Sequence, residues 1–201
     1  MCAHFILIPE DELQEIITDM LHYQQTRSHD ILAKSYQHAY PKAKSPILVL
    51  EQDHLEMKTM QWGYSVSWQS QVVFNTKIET ALREEKNMWS DSIRNRRCII
   101  PSFGFYETHR KDTHPSITTG RPVKDQYYFQ FPDSDIVWMA GVYYDRCFSV
   151  MTTAPNQWMM NIHPRMPLVL RTNELNIWLF EEYALLANRE ELVLESVKVA
   201  S

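Results

Sequence analysis

RCIIPSFGFYET, residues 97–108, is the stretch on which the fold turns. Between Arg97 and Glu107 it carries no charge, and Ile99, Ile100, Phe103, Phe105 and Tyr106 favour extended backbone, so it reads as a strand. Runs of the same kind flank it: PILVLE (46–51), MKTMQW (57–62) and SQVVF (70–74) before, then QYYFQF (126–131), IVWMAGVYY (136–144), FSVMTTA (148–154) and PLVL (167–170) after. Each is short, rich in β-branched or aromatic residues and bounded by turn formers. Strands outnumber helices and do not alternate strictly with them. That order predicts an α+β fold on a mostly antiparallel, open barrel-like sheet with flanking helices, not a doubly wound sheet.

Three segments read as helix. Residues 10–27 place Leu13, Ile16, Ile17, Met20 and Leu21 at helical spacing behind an acidic first turn. Residues 79–96 read as a less regular helix, and a third begins after Thr172 as N-cap, in TNELNIWLFEEYALL. The stretch 108–126 reads as a hairpin excursion or a flexible loop.

At 201 residues, with no repeat and no Gly/Ser-rich linker, the chain is expected to form one domain over 1–201 with its own core. A net charge of −5 excludes a protein that coats nucleic acid nonspecifically but leaves room for a local basic groove. Arg94, Arg96 and Arg97 are candidates for one; His109, Arg110 and Lys111 are a second set, better read as solvated charges. Cys2, Cys98 and Cys147 form no CxxC, which disfavours a disulfide framework or zinc knuckle and fits a reducing compartment. The start MCAHFILIPEDE holds only a five-residue apolar run and no basic leader, so a cytosolic protein is expected, or a nuclear one in a eukaryote. Eight histidines occur without HxH, HExxH or a His/Cys cluster, so neither metal nor cofactor is expected.

Four residues stand out chemically. Cys2 follows Met1, and trimming of Met1 would leave a free α-amine beside a thiol, two nucleophiles able to attack one carbon together. Glu107 ends an apolar strand, where a carboxylate is costly unless paired or used. His163 sits in NIHPRMP between a turn and an apolar strand, and Asn75 follows SQVVF at a strand end. Taken singly, each is better read as an ordinary residue at an element terminus. Together they are a nucleophile, a carboxylate that passes protons, an imidazole and an orienting amide.

At these residues the chain resembles the SOS-response-associated peptidase (SRAP) family, whose members crosslink to abasic sites in single-stranded DNA. MCAH resembles its Met-Cys-Gly-Arg start, WGYSVSW (62–68) its Trp-Gly-x-x-Pro-x-Trp, and NTKIET (75–80) its Asn-Ala-Arg-x-Glu-Thr. RCIIPSFGFYET resembles Arg-Cys-Ile-Ile-Pro-Ala-x-Gly-Phe-Tyr-Glu-Trp, and IHPRMPLVL (162–170) the segment around His-x-Arg-Met-Pro. The motifs fall in order over residues 1 to about 170. The resemblance implies Cys2 as the crosslinking nucleophile, Asn75 and His163 binding the opened sugar, and Glu107 handling protons. It implies DNA contacts from Trp68, Lys77, Arg97, Arg165 and His4, a monomer, no membrane partner and a positively charged channel. Here Ala3-His4 stand for Gly-Arg, Lys77 for arginine, Gln37 for asparagine and Val66 for proline. Two other readings of the same residues stay open: an N-terminal-nucleophile amidohydrolase or cysteine peptidase, and a non-catalytic DNA-binding relic.

Overall fold

The structure is a computed structural model and describes residues 2–18, 36–52, 54–180 and 182–199. Its centre is the strand read first from the sequence. β8 (Arg97–Pro115) is nineteen residues long, and every residue from Cys98 to Glu107 is buried. β3 (Lys44–Glu51) pairs with it through Leu48↔Ile99, and β10 (Val137–Tyr144) pairs over Val137↔Ser102 to Val142↔Arg97. β1 (Phe5–Leu7) pairs farther along, Phe5 opposite Phe105. β4 (His54–Trp62) follows β3, β11 (Cys147–Thr153) follows β10, and β2 (His38–Ala39) edges β1.

β4 and β11 meet in parallel over only Cys147↔Gln61 and Phe148↔Trp62, and the curled, largely antiparallel sheet is not closed into a barrel. Two further small hairpin partners, β5 (Tyr64–Val66) and β6 (Gln69–Val73), form a separate two-stranded sheet. β7 (Asn75–Lys77) runs parallel to β11, β9 (Pro122–Gln130) returns along β8, and β12 (Met166–Pro167) and β13 (Val169–Leu170) pair with β11 and β10. β14 (Glu195–Val199) covers the far edge of β9.

Because side chains alternate across a strand, the sheet feeds two cores. Cys98, Ile100, Val49, Phe105 and Trp62 lie in one; Ile99, Leu48, Phe103 and Trp138 lie in the other. Helices cover the second core. α1 (Glu10–Thr18) contributes Leu13 and Ile16, and α4 (Leu175–Phe180) contributes Leu175 and Trp178. Met20, Leu21 and the rest of the first expected helix lie outside the described residues.

Two expectations are corrected. Residues 79–96 form two short helices, α2 (Ile78–Ala81) and α3 (Ser90–Asn95), instead of one, because the buried apolar residues fall in two separate groups, Ile78 with Ala81 and Trp89 with Ile93. Thr172 does not cap the last helix: it starts a 3-10 turn (Thr172–Glu174) whose N-cap is Arg171, with Glu174 accepting from the Arg171 N–H at 2.8 Å. Residues 108–126 are a β-ribbon, as the hairpin reading has it, built from the outer part of β8 and β9. No helix among the described residues is long and apolar enough to cross a membrane.

Candidate functional site

Pairing of β1 with β8 carries the residues before Phe5 past the end of the buried strand. The Tyr106 N–H donates to the His4 carbonyl at 2.9 Å, which sets Cys2 beside Glu107. From the opposite direction β7 delivers Asn75, opposite Val150 of β11, and its Nδ2 donates to the Cys2 carbonyl at 2.8 Å. Asn75 Oδ1 is buried and accepts no hydrogen bond among the described residues. The turn before β12 brings in His163, whose Nδ1 lies 3.9 Å from Glu107 Oε2 and 2.9 Å from the Arg165 carbonyl. The Arg165 N–H also donates to His163 Nδ1, at 3.2 Å, so the turn holds the ring through that nitrogen.

Burial sets the electrostatics. Glu107 is 3% exposed, and desolvation pushes its carboxyl up to about 7. The Cys2 thiol is pushed well above the thiol range by burial first and by the Glu107 charge second. Burial also lowers His163 below the ordinary imidazole value, keeping it neutral at pH 7. A protonated thiol thus adjoins a carboxyl that titrates near neutrality, the match a proton-transfer group needs. Glu107 and His163, with Ala3 and His4, line a cavity of about 410 Å³. Of the larger depressions elsewhere, those of about 490 Å³ beside Arg171 and about 910 Å³ beside Trp158 hold no cysteine or histidine, and one of about 620 Å³ beside Lys58 holds Cys147 without a histidine.

The family model for the SOS response associated peptidase (SRAP) matches residues 1–200. The chain belongs to the SRAP family. Similar curated proteins are the abasic site processing proteins YoaM of Bacillus subtilis (strain 168), 30% identical over 152 residues, YoqW of the same strain, 27% over 184, and YedK of Escherichia coli (strain K12), 25% over 153. The matches take in 72%, 89% and 71% of this chain and 66%, 80% and 63% of those proteins. Among solved structures, a phage-related protein of Bordetella bronchiseptica superposes with a TM-score of 0.71 at 18% identity, covering 100% of this chain and 95% of that one. A protein of Bacteroides thetaiotaomicron gives 0.68 at 22%, covering 99% and 92%. Both likenesses concern the SRAP fold.

The remaining expected DNA contacts in this SRAP chain are dispersed. Trp68 is 66% exposed in the turn between β5 and β6, and Lys77 is exposed at the end of β7. Arg165 makes a two-pronged ion pair with Glu79, at 2.8 and 2.9 Å, and donates to the Thr152 carbonyl at 2.6 Å. Arg97 departs from its expected place beside phosphates: its guanidinium donates to the carbonyls of Trp178, Leu179, Ile93 and Arg94, tying α3 and α4 together. His4 brings no positive charge either. It is sandwiched between Tyr40 and Tyr106, ring centroids 4.4 and 4.0 Å away, with Nε2 2.5 Å from His38 Nδ1, and burial, then His38, lowers it to about 4. Trp62, Trp89, Trp138 and Trp178 are buried in the cores, whereas Trp158 is half-buried.

Sequence reasoning passed over Tyr40, Tyr106, Thr108, Lys124 and Gln126, which line the cavity, and read two further lining residues, His109 and Arg110, as solvated charges. A signal was present for the last two. THRKD directly follows GFYE, and a strand running on past Glu107 keeps those residues beside it.

Proposed function

We propose that this SRAP protein captures abasic sites in single-stranded DNA as a covalent adduct on Cys2 after Met1 is removed. Met1 removal consumes one water and converts the Cys2 nitrogen from an amide into an amine. With a pKa near 7.8, about one terminal amine in seven is neutral at pH 7, against roughly one lysine in 2,500. The amine adds to the aldehyde of the ring-opened sugar and expels water, leaving an imine. The thiol then adds to the imine carbon, its proton passing to the nitrogen by way of Glu107, and a five-membered thiazolidine closes. Glu107 and His163 also move the protons of sugar opening, while Asn75 orients the sugar hydroxyl or carbonyl. Ring closure turns a hydrolysable imine, an intermediate that leads to strand cleavage, into a stable shield. The protein acts as a monomer, in one domain.

The observation that carries this reading is the meeting of Cys2, Asn75, Glu107 and His163 from four separate parts of the chain, with Glu107 and His163 lining the cavity beside the buried Cys2. The names of the similar bacterial proteins support the choice of lesion. The test is Cys2→Ala against a uracil-excised single-stranded oligonucleotide on denaturing gels. Wild type is expected to give a heat-stable adduct and, by intact mass, to lack Met1; Cys2→Ala gives no stable adduct. An undiminished adduct in Cys2→Ala overturns the assignment.

A further inference from the structure

A capture site for a sugar within a DNA strand must also hold the phosphates on either side of it. Of the cations expected to do so here, Arg97 is committed to four carbonyls, Arg165 to Glu79, and position 4 to a neutral imidazole, while Lys77 stands exposed at the end of β7. The ribbon of β8 and β9 offers others. Its pairing runs Thr108↔Gln126 and then Thr113↔Lys124, so residues 109–112 of β8 stand opposite Asp125 alone. Such a bulge re-aims side chains away from the regular ladder and is common beside active sites.

This one is anchored toward the site. The Arg110 N–H donates to the Ile162 carbonyl at 2.9 Å, next to His163, and Lys124 Nζ donates to the Arg110 carbonyl at 2.9 Å. Arg110 and Lys124 are exposed and line the cavity that holds Glu107 and His163. Arg110 also lines an adjoining cavity of about 290 Å³, together with Lys111, His109 and His163. The nearby Asp112 faces His109, 3.6 Å from its Nε2.

We propose that Arg110 and Lys124, displayed by the bulge in the β8–β9 ribbon at the mouth of the Glu107–His163 cavity, form a phosphate-binding subsite for single-stranded DNA. This subsite rests on the capture function proposed above for the same cavity. The strand's backbone crosses the ribbon, and its sugar enters beside Glu107.

Binding of a labelled, undamaged single-stranded oligonucleotide, followed by anisotropy across a salt series, tests the subsite. Each phosphate contact on a single strand adds about 0.7 to the slope of log K against log salt. Arg110→Gln with Lys124→Gln is therefore expected to lower the slope by about 1.4. Lys44→Gln with Arg146→Gln removes the same charge from exposed positions around another cavity and is expected to leave the slope unchanged. An equal slope in wild type and the Arg110/Lys124 double variant overturns the subsite, as does an equal fall in both double variants or a lack of strand binding by wild type. Adduct yield on abasic DNA is read in parallel. A wild-type adduct with an unchanged slope refutes the subsite alone; a lowered slope without any wild-type adduct refutes the capture reading and keeps the subsite.

Discussion

Arg97–Glu107 and Thr108–Pro115 belong to one strand, yet the first part is buried almost throughout and the second has no buried residue. The inner part lies between β3 and β10, with β1 farther along, and both of its faces pack against apolar cores. The outer part pairs with β9 alone. A carboxylate placed at the last buried position is raised toward neutrality, while basic side chains placed just beyond it stand in solvent. One strand crossing from core to solvent thus supplies both a carboxyl that titrates near neutrality and exposed basic side chains, a few residues apart.

Glu107→Gln breaks this contrast at its boundary. It keeps the shape and removes the titration, and the rate of adduct formation is expected to fall by about 100-fold or more, within the range for a general acid–base group. The same substitution should change the pH dependence of stability. Burial raises this carboxyl from about 4.5 to about 7, so between those values the folded state binds more protons than the unfolded state. Wild-type stability therefore falls as pH rises from about 4.5 to 7, by on the order of 3 kcal/mol at 1.36 kcal/mol per pH unit. Urea midpoints from pH 5 to 8 should decline in wild type and stay flatter in the variant; parallel curves would contradict the burial argument.

Gly104→Ala attacks the inner part. A Cβ there would run into the ring and hydroxyl of Tyr128, which is held by its hydrogen bond to the Phe103 carbonyl at 2.7 Å. Overpacking of this kind costs about 1–3 kcal/mol. Chemical denaturation should show that loss, and a neutral result would mean the strand yields more than its burial implies.

Asp125→Asn loosens the outer part and should have the smallest effect. Asp125 accepts from Lys198 of β14 at 2.7 Å and lies 2.6 Å from His114 of β8, tying three strands of the ribbon. The Lys198 hydrogen bond, then that of His114, holds its carboxyl below the ordinary range. Its contribution is present at neutral pH and is lost as pH falls through that depressed value. Wild type and variant should differ slightly at pH 7 and converge in strong acid; identical melting at pH 7 would mean the ribbon does not need the tie.

The central strand, the α+β class and the open sheet were legible because runs such as RCIIPSFGFYE and IVWMAGVYY state extended structure locally. Cys2, Asn75, Glu107 and His163 stood out as candidates for a different reason: each puts a reactive or polar group where apolar neighbours make it expensive. Arg97 was misread because its spacing says nothing of Trp178 and Leu179, whose carbonyls it binds from 81 and 82 residues away. Arg110 was read as a solvated charge and is exposed; its place beside the cavity comes from the bulge and from its backbone N–H on the Ile162 carbonyl, neither of which the spacing in THRKD states. His4 looked like a stand-in cation, and only its burial between two tyrosines shows it neutral.

The ends of a polypeptide are ordinarily its loosest part. Here the second residue is gripped from both sides, its carbonyl by an amide 73 positions away and its neighbour His4 by the central strand. A reactive group released at that place would have little wandering left to lose. Much of the entropy of positioning that residue is then settled by folding.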